Sequence, residues 1–175
     1  MDVLSIEEDD RALAVVLDED PDVVAVLSLQ LHVLGMESRC YRRVDLLLEE
    51  IDECDPQLVI MGLEFGDPDG IALLRLLAER RFGGWVLLLG GVERKISRIA
   101  ERVGHILGLQ MLGSLDKPMR MAELRQRLDR LHLGRKPTIA PEDDPFFSAA
   151  ELDRALERHE LTLHYQHSSS LPRVG

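Results

Sequence analysis

Residues 58–70 read LVIMGLEFGDPDG. The four aliphatic residues from Leu58 to Met61 alternate with nothing polar, which is the pattern of a strand covered on both faces. The loop GDPDG, Gly66 to Gly70, consists of turn-forming residues, and after it Ile71, Leu74, Leu77 and Ala78 recur at helical spacing. A buried strand that passes through a tight loop into an amphipathic helix is the repeating unit of a parallel sheet.

The unit recurs on both sides. Upstream, Ala12 to Leu17 (ALAVVL) is another unbroken apolar run, and it ends in Asp18-Glu19-Asp20-Pro21. Acids favour the positive end of a helix and proline suits its first turn. The helix that follows, Asp22 to Leu34, stops at Gly35. Its apolar residues Val23, Val24, Val26, Leu27, Leu29, Leu31, Val33 and Leu34 cover more than one face, so it is either deeply buried or offers a surface to a partner. Glu37 to Tyr41 reads as a second strand, and Val44, Leu47, Leu48 and Ile51 as the inner face of a second helix that ends before Asp55-Pro56.

Downstream, Trp85 to Leu89 is a fourth strand closing at Gly90-Gly91, and Ile96, Ile99, Ala100 and Val103 mark a fourth helix. Leu109 to Leu112 supplies the fifth strand; Met121, Leu124, Leu128 and Leu131 line the fifth helix. Five β/α units between residues 11 and 133 predict a flavodoxin-like, doubly wound α/β domain, a five-stranded parallel sheet in the order 2-1-3-4-5 with helices on both faces.

Residues 1–10 read as an N-terminal tail, and the composition changes again after Leu133. Gly134, Pro137, Pro141 and Pro145, together with Glu142, Asp143 and Asp144, make 134–147 a linker. Ser148 and Glu151 form a capping box for a short helix, ELDRALER, which gives way to the alternating run Leu161 to Tyr165. The stretch 148–175 is too short for a second complete domain, and its final HSSSLPRVG has no periodicity, so part of it is expected to be disordered.

A net charge of -11 argues against nucleic acid or an anionic membrane as partner. The arginines at 80–81 and 120–130 are interspersed with acids and read as solvated helix faces. With only Cys40 and Cys54, no CxxC spacing and no apparent signal peptide, a cytoplasmic location is expected, without disulfides or zinc. His159, His164 and His167 lack a partner at fixed ligand spacing.

In an open parallel sheet the loops at the carboxyl ends of the strands converge on one crevice. Here they carry Asp18 and Glu19 after the first strand, Gly62, Leu63 and Glu64 after the third, Gly90 after the fourth, and Lys117 and Pro118 after the fifth. The runs VLDEDP, PQLVIMGLEFGDPDG, VLLLGG and LGSLDKP resemble a response-regulator receiver domain. Such domains accept a phosphoryl group on an aspartate at the end of the third strand. An acid pair holds magnesium, a hydroxyl follows the fourth strand and a lysine follows the fifth.

Position by position, the resemblance assigns the acid pair to Asp18 and Glu19 and the lysine to Lys117, before its usual Pro118. The phosphoacceptor position falls on Gly62, the hydroxyl position on Gly90 and the aromatic switch position on Ser114. Glycine has no side chain to form an acyl phosphate or ligate a metal, and Asp18 and Glu19 alone hold magnesium weakly or not at all. An ion pair between Lys117 and one of the two acids is expected instead, with Glu64 or Phe65 filling the space left by the glycines. Glu64 is the alternative acceptor, two residues along and a poor stand-in for aspartate; Asp67 and Asp69 read as turn and cap residues.

The run GGVERKISRIAERVGHILGLQMLGSLDKP is similar to receivers attached to EAL cyclic-di-GMP phosphodiesterases, and ELDRALERHELTLHYQ resembles the start of an EAL domain. The E-A-L signature and its metal ligands are absent, so no catalysis is expected from this chain, and Gln166 is at most a vestige of a nucleotide contact. The resemblance implies a degenerate receiver that works through protein partners. Homodimers are expected through Arg98, Arg102, Arg120, Glu123 and Arg127 or through the apolar first helix.

Overall fold

The computed structural model describes residues 11–64, 70–90 and 94–132. In chain order these form β1 (Leu13–Leu17), α1 (Pro21–Val33), β2 (Glu37–Tyr41), α2 (Val44–Cys54), β3 (Leu58–Gly62), α3 (Gly70–Glu79), β4 (Trp85–Gly90), α4 (Arg94–Ile106), β5 (Gln110–Asp116) and α5 (Met121–His132). The strands make one parallel sheet in the order β2-β1-β3-β4-β5, as the sequence predicts. The tail 1–10, the linker 134–147, the stretch 148–175 and most of the GDPDG loop lie outside the described residues.

Strand side chains alternate between two cores. Val15, Leu17, Val59, Met61, Val86 and Leu88 pack against α2, α3 and α4. Ala14, Val16, Leu58, Ile60, Leu87 and Leu89 pack against α1 and α5. Both faces of the central strands are therefore covered, which is why they read as unbroken apolar runs.

Three elements depart from the expectation. β5 runs on to Asp116 rather than stopping at Leu112, because Gly113 and Ser114, which look like a turn, form a bulge instead. Val86 pairs with Met111 but Leu87 pairs with Gly113, whose φ is 104°, so Leu112 is the extra residue. For α1, read as either deeply buried or offering a surface, one face is buried and the other is open. Leu27 and Leu31 are fully buried, whereas Val26, Leu29 and Val33 are exposed. α4 presents a stripe of small residues, Ser97, Ala100 and Gly104, to the sheet, and a Cβ on Gly104 would lie 2.3 Å from Met111 Sδ. That close approach draws the helix tightly over β4 and β5.

Candidate functional site

The strand register brings the crevice residues to one level. Leu17 pairs with Met61, so Asp18, one residue on, stands level with Gly62; Gly62 pairs with Leu89, and Gly90 with Asp116. Asp18 is 3% exposed and fixed on both sides. Its amide donates to Tyr41 O at 3.3 Å, and its Oδ1 accepts the Asp20 amide at 3.0 Å. Oδ2 faces Lys117 Nζ at 2.6 Å.

This ion pair crosses the crevice. β1 and β5 are separated by β3 and β4, a distance of roughly 14 Å at the usual strand spacing. Lys117 begins just past β5, where its amide donates to Gly90 O at 3.2 Å, and its ammonium ends at the carboxylate that follows β1. The strands between them end in Gly62 and Gly90, which put no side chain in the way.

Glu19 does not join the pair. Its side chain is exposed, and its carbonyl accepts from Arg42 Nε at 3.3 Å. Glu64 is also exposed. At Gly90 the filling group comes from α4: a Cβ built there would lie 2.4 Å from Ser97 Oγ and 3.6 Å from Asp116 Oδ1. Ser97 is 2% exposed, and its hydroxyl has no hydrogen-bond partner among the described residues. Phe65 and Gln166 lie outside the described residues, as do Asp67 and Asp69.

Ser114 is half-buried on β5 and opens onto a different concavity, a cleft of about 420 Å³ between α4 and α5. Arg94, Ser97, Asp116 and Arg127 also line it. Arg94 Nη2 pairs with Asp116 Oδ2 at 3.2 Å. Arg127 corrects the reading of 120–130 as a solvated face: its Nη2 donates to Ser114 O at 3.1 Å and its Nη1 to Leu112 O at 3.5 Å. Burial holds its pKa below the ordinary arginine value. The guanidinium satisfies carbonyls at the bulge of the edge strand, and Gly113 makes room for it, since a Cβ there would lie 2.8 Å from Nη1.

Sequence reasoning placed Asp18 and Lys117 together, but it missed Ser97 and read Arg127 only as part of a dimer surface. The small-residue stripe Ser97-Ala100-Gly104 was a signal for Ser97, because only small side chains fit where a helix lies close to a sheet. Nothing local marked the bonding of Arg127 to strand carbonyls, which depends on an unforeseen bulge.

Among the described residues no group of three or more His, Cys, Asp or Glu side chains is placed to hold a metal ion, and no helix is long and apolar enough to cross a membrane. No family model matches the chain, and neither does any curated protein. Solved structures do. A response regulator from Colwellia psychrerythraea superposes with a TM-score of 0.60 at 20% identity, covering 71% of this chain and 98% of that one. A putative response regulator from Chloroflexus aurantiacus gives 0.59 at 22% identity, covering 71% and 99%. The signal receiver domain of a modulated diguanylate cyclase from Desulfovibrio desulfuricans gives 0.58 at 14% identity, covering 72% and 100%. The chain has the receiver fold.

Proposed function

We propose that this chain is a signal-transduction receiver domain that is not phosphorylated and acts through protein contacts. On this reading it is the regulatory module of a cyclic-di-GMP phosphodiesterase of the EAL type, works in the cytoplasm, and has no catalytic activity of its own. The observation that carries the proposal is the Lys117–Asp18 pair, closed at 2.6 Å over a β3 that ends in Gly62. A phosphoryl acceptor would have to stand where this strand offers only a backbone.

The donor set does not suit magnesium. The ion prefers an octahedron of carboxylate, phosphate and water oxygens. Among the described residues the one buried carboxylate, Asp18, is engaged by an ammonium on Oδ2 and by an amide on Oδ1, while the second acid, Glu19, is exposed. Lys117 thus supplies the positive charge that a metal would bring. The exposure of Glu64, and the poor match of a glutamate to an aspartate acceptor, weigh against its service as an acceptor.

The cyclic-di-GMP setting rests on the resemblance of 90–118 and 151–166 to EAL-linked proteins. A likeness in fold to a receiver from a diguanylate cyclase is compatible with it. Incubation of the chain with acetyl phosphate and magnesium, followed by intact-mass measurement, tests the proposal. An unchanged mass is expected; a stable added phosphoryl group on any residue overturns it.

A further inference from the structure

The outward face of α1 is poor in charge. In a chain that is 30% charged, this 13-residue helix carries one formal charge, Asp22, and one histidine, His32. Leu29 is 65% exposed, Val33 59% and Val26 46%. These three positions, with the exposed Ala25, lie within one face of the helix at three- and four-residue spacing. The outward face of α2, by contrast, carries Asp45, Glu49, Glu50, Asp52 and Glu53. A stripe of this kind on a helix is the seam of helix–helix packing.

We propose that the stripe is a homodimer seam, in which α1 of one copy packs antiparallel against α1 of a second copy about a two-fold axis near position 27. The helix is self-complementary about that point. Antiparallel pairing sets Leu29 of each copy opposite the small Ala25 of the other, so the largest exposed side chain meets the smallest. It sets Val33 against the exposed Pro21 that starts the partner helix. It also sets Asp22 against His32, twice, placing a carboxylate beside an imidazole N–H that can donate to it. Parallel pairing would instead put Asp22 against Asp22. A two-fold interface requires this kind of self-matching, whereas a surface for an unrelated partner does not.

The seam is about 20 Å long. A seam confined to one helix of this length is expected to bury less than the roughly 800 Å² per partner of a standard stable interface. The dimer is therefore in reversible exchange with the monomer and visible as a concentration dependence. This inference stands apart from the fate of the phosphoryl site.

Sedimentation equilibrium of the full chain over a range of concentrations tests it. A reversible monomer–dimer equilibrium is expected. Leu29→Lys should weaken association by about tenfold or more, as loss of a central apolar anchor does, with the circular dichroism spectrum unchanged. Asp22→Lys alone and His32→Asp alone should each weaken the dimer, and the double substitution should restore it. A chain that is monomeric at every concentration overturns the proposal, as it would if another segment of the chain covered α1. A dimer indifferent to Leu29→Lys overturns the seam. Failure of the charge exchange to restore association overturns the antiparallel arrangement.

Discussion

Replacing Gly90 by alanine is expected to destabilise the domain through one contact, and removing that contact should reverse the sign. The new Cβ would lie 2.4 Å from Ser97 Oγ, well inside van der Waals contact, on a helix held against the sheet by Ala100 and Val103, both fully buried. Overpacking of this kind costs about 1–3 kcal/mol. Against it stands a gain of about 0.5–1 kcal/mol for exchanging glycine with alanine inside a strand. The single substitution should therefore lower stability by on the order of 1 kcal/mol. Ser97→Ala removes a buried hydroxyl that has no partner among the described residues, so it should be close to neutral. In the double variant the nearest remaining atom, the side-chain Cβ at position 97, lies 3.5 Å away, an ordinary contact, and only the strand gain survives. Urea unfolding of the four proteins gives a coupling energy, expected at about 1–3 kcal/mol. If the two substitutions are additive, or if Gly90→Ala alone is stabilising, Ser97 is not what occupies the space beside Gly90.

Other consequences follow from the same geometry. Lys117→Met should destabilise the domain by about 3 kcal/mol in urea unfolding, because it strands the buried Asp18 carboxylate, and adding Asp18→Asn should recover part of the loss. Gly113→Ala should cost about 1–2 kcal/mol from the left-handed backbone alone, since φ is 104°, with a further contribution from contact with the Arg127 guanidinium; an unchanged urea midpoint would remove the bulge from the account. Tyr41 is raised from 10.0 to about 12 by burial and by its hydroxyl donating to Glu50 Oε2 at 2.6 Å. The unfolded chain then ionises first, so this contribution is complete below about pH 10 and is lost as the pH rises towards about 12. Alkaline unfolding of Tyr41→Phe should lack that loss.

What could be read from the sequence was decided by how locally each feature is encoded. Leu58–Met61 and Ala12–Leu17 announced central strands because burial on both faces leaves an unbroken apolar run, and the position of Asp18 followed from the end of the first strand, while Lys117 was marked by the resemblance of LGSLDKP to a receiver. β5 was cut short because Gly113-Ser114 is locally a turn; only pairing with β4 turns it into a bulge. Ser97 was hidden for a related reason. A serine among Ile96, Ile99 and Ala100 looks like the polar edge of a helix until the sheet beneath it proves to end in a glycine. The α1 face could not be assigned from pattern, since an apolar residue reads the same whether α5 covers it or water does.

The most direct test of the central claim compares the native chain with Gly62→Asp, each exposed to acetyl phosphate and magnesium and weighed intact. The variant regains a carboxylate level with Asp18 at the end of β3 and should take up one phosphoryl group, while the native chain stays at its starting mass. A stable phosphoryl group on the native chain would contradict the account.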